Sequence, residues 1–164
     1  MDDFLNRIIV EIYNKCKLQI LNFKVEEEGK EYNACRFKLN RLMIVSRNAK
    51  LTPKKDGQFV TFWKRNRQGI IEPLHESDRI DFYVVTVKTE SKFGQFVFPR
   101  STLIQNGIIS TDEREGKRGF RLYSNWDKTN NKQAIKTQKW QLDYFYEINK
   151  TIDLNKVVDL FKKS

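Results

Sequence analysis

At 164 residues the chain fits one domain and can bury roughly two-thirds of its unfolded surface without disulfides or a metal. Its 39% hydrophobic content excludes disorder, and a formal net charge of +10 directs attention to polyanionic partners. Two cysteines, Cys16 and Cys35, and one histidine, His75, supply neither a disulfide framework nor a zinc site, and the cysteines fit buried thiols in a reducing cytosol.

Phe4, Ile8, Ile12 and Cys16 recur at helical spacing behind Asp2 and Asp3, acids suited to a helix N-terminus, which predicts an amphipathic helix from residue 2 to about 20. The opening MDDFLNR has no basic n-region or small-residue cleavage site, and no apolar run reaches spanning length, so neither export nor membrane insertion is expected. Glu26 to Glu28 and Gly29 mark a turn, and residues 32–46 alternate well enough for one or two strands. Thr52-Pro53 blocks helix, and the Asp56-Gly57 turn opens a strand over 58–65. In that strand Gln58, Val60, Phe62 and Lys64 share one face, and Phe59, Thr61, Trp63 and Arg65 the other. Strands over 79–88 and 93–98 complete the sheet, with the apolar run IDFYVVTV as its buried centre.

Pro99, Arg100 and Ser101 open a short helix that ends at Asn106-Gly107, with Ser101 as a candidate cap. Arg114 to Arg121 reads as a basic loop in which Gly116 and Gly119 enclose Lys117 and Arg118. Its glycines allow close approach to a phosphate backbone, but the spacing is neither a Walker A loop nor a Rossmann fingerprint. Thr129 or Asn130 can cap a helix over about 131–148. Lys132, Lys136 and Lys139 lie on one side of it, and Trp140, Tyr144 and Ile148 on another that reads as core. A short helix over 153–163 closes the chain. These elements predict an α+β fold, one domain over residues 1–164, with a central mostly antiparallel or mixed sheet flanked by helices.

Positive charge falls in two blocks. Residues 31–70 hold ten Lys/Arg against two acids (+8), and residues 114–140 hold eight against two (+6), whereas residues 71–113 are net −3. If the blocks meet in space they form a footprint for a polyanion, with affinity falling as salt rises. The segment KLTPKKDGQFVTFWKRNR, residues 50–67, sharpens that expectation. Lys50, Lys54, Lys55, Lys64, Arg65 and Arg67 can neutralise phosphates while the strand's rings stack on exposed bases. The competing reading has every ring packed inside and the cations guarding an edge strand.

Four motifs in order carry a family resemblance: AKLTPKKDGQFVTFWKR at 49–65, DFYVV with FGQFVFPRS within 81–101, GKRGFRLY at 116–123, and NKQAIKTQKWQ at 131–141. Together they resemble the MepB-like family of bacterial proteins, over roughly residues 30–148. The resemblance implies a cytosolic protein with a restriction-endonuclease-like core and nucleic acid, DNA favoured, as partner. The family-like polar positions here are Lys50, Thr52, Lys55, Gln58, Trp63, Lys64 and Arg65, then Arg100, Lys117, Arg118, Arg121, Lys136, Gln138 and Gln141. These are the expected nucleic-acid contacts.

Metal-dependent phosphodiester cleavage needs acidic oxygens to hold Mg²⁺ and a lysine to orient water and stabilise developing charge, typically an Asp followed by Glu-x-Lys. Asp81 with Glu90-Ser91-Lys92 satisfies that pattern and supplies the catalytic candidates Asp81, Glu90 and Lys92, although the triplet falls at a turn between two strands. The expectation is therefore a nucleic-acid-binding protein without a cofactor, a nuclease-like fold that keeps its binding surface and lacks cleavage. A Mg²⁺-dependent nuclease is one alternative, and a regulatory protein that docks an acidic protein partner is the other.

Overall fold

Asp2 starts the first helix: its carboxylate accepts the backbone N–H groups of Phe4 and Leu5 at 3.0 and 3.1 Å, capping α1 (Asp3–Ile8). The computed structural model describes residues 1–164. A π-helical stretch, Ile9–Tyr13, follows, and its wide turn leaves the consecutive Ile12 and Tyr13 both buried. Lys17, at φ 58°, ends the helical path, so the helix is shorter than its periodicity predicts. Residues 20–25 are needed instead as β1 (Ile20–Val25) at the sheet edge.

The chain continues through β2 (Cys35–Leu39), β3 (Leu42–Asn48), β4 (Lys50–Leu51), β5 (Gln58–Thr61), β6 (Trp63–Arg65), β7 (Ile71–Pro73), β8 (Phe82–Lys88) and β9 (Phe93–Pro99). After these come α2 (Arg100–Gln105), β10 (Gly119–Leu122), α3 (Lys132–Leu142), β11 (Phe145–Glu147) and α4 (Leu154–Leu160). Six strands form the main sheet in the order β1-β2-β3-β8-β9-β11, antiparallel except for the parallel β3–β8 pair, so the α+β class with a mixed central sheet holds. That parallel pair requires a long crossover, and residues 49–81 provide it. The expected strand over 58–65 consequently leaves the central sheet. It breaks at Phe62 into β5, which joins β4 and β10, and β6, which pairs with β7.

β8 is buried on both faces, and its alternation divides the core in two. Phe82 and Val84 join the residues beneath α1 and α4, whereas Tyr83, Val85 and Val87 join Val60, Phe62, Leu103 and Phe120 beneath the small sheet and α2. The same logic corrects the helix expected over 131–148. α3 stops at Leu142, because Phe145 and Tyr146 enter opposite cores and only a strand can turn consecutive side chains that way. Asn131, rather than Thr129 or Asn130, caps α3 by accepting the Ala134 N–H at 2.8 Å. Pro99 occupies the cap position of α2, and Ser101 is exposed within it. No helix is long and apolar enough to cross a membrane.

Cys35 is buried, and Cys16 partly so, both as free thiols. Burial pushes the Cys35 thiol up from its ordinary 9.0 to about 11, and it also raises the phenols of Tyr13, Tyr83 and Tyr146. A raised pKa means that the unfolded chain releases these protons first. Stability is therefore retained below about pH 9 and lost as pH rises toward 11, with Cys35 alone worth about 2 to 3 kcal/mol across that window. Urea unfolding at pH 8 and pH 10.5 checks this, and an unchanged midpoint would contradict it.

Candidate nucleic-acid interface

β4 and β5 form a hairpin because residues 52–57 turn through Lys54 and Gly57, both at positive φ (67° and 75°). Position 57 admits only glycine without rearrangement, since a Cβ there would lie 2.5 Å from the Leu122 carbonyl oxygen. On its other side β5 pairs with β10, so the two basic segments, far apart in sequence, meet in one small sheet. The register places Lys50, Phe59 and Arg121 in a single row across three strands. Val60, Phe120 and Leu122, one step along, are buried, so the row belongs to the outward face. Phe59 lies over Gly119, where a Cβ would meet the ring's Cζ at 2.5 Å.

The alternation read from residues 58–65 holds across the break. Gln58, Val60 and Phe62 are buried, and Phe59, Thr61 and Trp63 are half-buried on the other side. Arg121 donates from Nη2 to Thr52 Oγ1 at 2.7 Å and to the carbonyls of Asp56 and Gly57 at 2.9 and 3.3 Å, which ties the 52–57 turn to β10. Thr52 thereby fixes the Arg121 head group. Lys50 Nζ sits 4.8 Å from the Tyr32 ring centroid and 3.9 Å from Glu31. Lys55 and Lys117 are exposed and form no ion pair, Arg118 forms only an exposed pair with Glu115, and Lys136 projects from the outer side of α3.

The remaining expected contacts are committed elsewhere, each for a visible reason. Lys64 is 2.7 Å from Asp78 and 3.9 Å from Glu72, and Arg65 pairs with Glu28 while its guanidinium lies over Trp63 at 5.4 Å. Arg100 stands at the end of β9 and donates to the Glu76 carbonyl at 3.2 Å. Gln58 and Gln141, 2% and 0% exposed, are corrections: their amides serve the fold. Gln58 donates to the Lys88 carbonyl at 2.8 Å. Gln141 accepts the Tyr123 N–H at 2.8 Å and donates to the Arg121 carbonyl at 2.9 Å, fastening α3 to the free edge of β10. Gln138 similarly donates to the Ser124 and Asp127 carbonyls at 2.9 and 3.0 Å.

The catalytic candidates do not converge. Asp81 precedes β8 and accepts the Met43 N–H at 2.7 Å, whereas Glu90 and Lys92 follow the other end of that strand. Seven extended residues separate them by about 20 Å, too far to share one Mg²⁺ ion. His75 does lie between Ser77 Oγ (2.8 Å) and Asp112 (3.2 Å), the neighbours a Ser-His-Asp triad would need. Its Nδ1, however, also accepts the Ser77 backbone N–H at 3.0 Å, so the ring closes a local turn.

Between β10 and α3 lies a cleft of about 360 Å³ that opens beside Phe59 and Arg121. Tyr123, Trp140, Asn131, Gln133 and Thr137 line it, none of them among the expected contacts. Their signal was available in part: Gly119, Arg121 and Tyr123 alternate as a strand face, but two nearby glycines make the segment read as loop.

A family model described as MepB-like matches residues 26–147. Among solved structures, the chain is similar to the crystal structure of MepB, with 34% sequence identity and a TM-score of 0.80 over 92% of this chain and 100% of that one. The structure of a bacterial homing endonuclease aligns with 16% identity and a TM-score of 0.48 over 85% of this chain and 86% of its own. Among curated proteins, none matches.

Proposed function

This chain belongs to the MepB-like family, and from that premise we propose that it binds nucleic acid, DNA foremost, through the outward face of the β10-β5-β4 sheet. One observation carries the reading: the row Lys50, Phe59, Arg121 sets an aromatic ring between two cations where the two basic segments join. Cations in such a row neutralise phosphates and release counterions, and the ring offers a sequence-tolerant stacking surface. Lys55, Lys117 and Arg118 extend the positive charge around it. Binding requires neither a cofactor nor a bond-breaking step.

Four or five phosphate contacts give a log–log salt slope of about −3 to −4, so affinity for a labelled oligonucleotide falls roughly a hundredfold between 50 and 200 mM salt. Fluorescence anisotropy over that range measures the slope, and a denaturing gel of the same samples with Mg²⁺ reports strand integrity. Intact strands and a steep slope are the expected outcome. Cut strands would assign a nuclease, and no binding at 50 mM would turn the search to an acidic protein partner.

A further inference from the structure

We infer that the cleft between β10 and α3 takes one unpaired nucleobase of a bound strand, which makes single-stranded nucleic acid the preferred ligand. The inference rests on the interface reading above and deepens it. Its first support is the strand edge. Phe62 N–H donates to the Arg118 carbonyl at 2.8 Å, so Arg118, Phe120 and Leu122 turn their peptide groups toward β5. Gly119 and Arg121, out of phase by one, turn theirs the opposite way, toward α3. Gln141 engages the Arg121 carbonyl and the Tyr123 N–H at one end of that edge. The rest of the edge, the Gly119 peptide and the Arg121 N–H, faces the cleft, where it presents donors and an acceptor in a line.

The cleft walls supply what a base needs besides that line. Phe59, Tyr123 and Trp140 contribute ring surface, the Gln133 amide on α3 adds a donor and an acceptor that can meet a base edge, and the α3 cap Asn131, whose Oδ1 is held by the Ala134 N–H, adds its Nδ2 donor. Lys117 and Arg121 also line the cleft and bring the positive charge that a backbone phosphate needs. About 360 Å³ is at the small end of ligand sites, the scale of a single nucleotide unit. Because Phe59 and Arg121 belong both to the cleft and to the outward row, a strand lying on the sheet delivers a base directly into it. A duplex cannot do so without unstacking and unpairing, which costs a few kcal/mol.

Anisotropy titration of one 20-nucleotide sequence, single-stranded and as duplex, tests this in wild type and in two cleft variants. Wild type is expected to favour the single strand by about tenfold, the worth of one stacked base. Thr137→Trp, which fills the cleft from α3, and Tyr123→Ala, which removes a wall, are each expected to bring that ratio near one, with circular dichroism confirming a folded chain. Equal affinity in wild type, or a ratio unmoved in both folded variants, overturns the cleft while leaving salt-dependent binding in place. Loss of all binding at low salt in wild type overturns the interface reading itself. Adenosine monophosphate binding as tightly as the strand would assign a mononucleotide site instead and overturn the strand inference.

Discussion

Lys55→Glu combined with Lys117→Glu is expected to lower affinity for a 20-nucleotide strand by on the order of a hundredfold at 50 mM salt, because counterion release makes each phosphate contact worth roughly tenfold there. Neither ammonium has an acidic partner, so the melting temperature should stay within a few degrees of wild type. The salt slope should become shallower by about two, one for each lost contact. Lys64→Glu makes the informative contrast. That lysine sits 2.7 Å from Asp78 and 3.9 Å from Glu72, so the substitution gathers three carboxylates and reduces stability while leaving the salt slope unchanged. Should Lys64→Glu flatten the slope and the double variant leave it intact, the binding face has been assigned to the wrong side of the molecule.

Gln95→Leu is expected to cost about 3 to 5 kcal/mol of folding stability, the largest effect of any single substitution considered. Gln95 is fully buried in β9, and its Oε1 accepts from the hydroxyls of Tyr13 at 2.8 Å and Tyr146 at 2.7 Å. One acceptor thus joins the N-terminal helical segment, the central sheet and β11. Leucine fills similar space but orphans the two buried tyrosine hydroxyls, each costing about 1 to 3 kcal/mol, and also removes the Nε2 donor that reaches the buried Thr86 Oγ1 at 3.3 Å. Urea unfolding measures the loss. Adding Tyr13→Phe and Tyr146→Phe to Gln95→Leu should recover most of it, since the Thr86 hydroxyl is then the one group left without its Gln95 partner. A single-variant cost below about 1 kcal/mol would mean that the hydroxyls find other partners.

Much of the fold was legible in local chemistry. Asp2 caps α1, the apolar run at 80–87 is the doubly buried strand, and Asn106-Gly107 ends α2. What misled was periodicity at places where long-range pairing overrode it. Cys16 continues the helical spacing of Phe4, Ile8 and Ile12 and packs against the same core, yet the helical path ends at Lys17, short of the predicted residue 20, and β1 begins at Ile20, where it pairs with β2. Trp140 and Tyr144 pack on Phe98 as core, as their spacing suggests, whereas Ile148 reaches the opposite core because β11 intervenes.

The candidate interface divides the same way. Composition and alternation alone determined that the chain is α+β, that two segments carry the positive charge, and that Phe59, Thr61 and Trp63 face away from Val60 and Phe62, because these follow from side-chain type and a two-residue period. Tertiary structure decided which cations are free. Lys64 and Arg65 look equivalent to Lys55 in sequence, but the acids that neutralise them, Asp78 and Glu28, arrive from distant segments. It also decided that Gln58 and Gln141 are internal clips and that Arg121, Phe59 and Lys50 stand in one row. The reason is physical: a charge or an amide acquires its role from the partner it meets, and strand pairing over sixty residues chooses that partner.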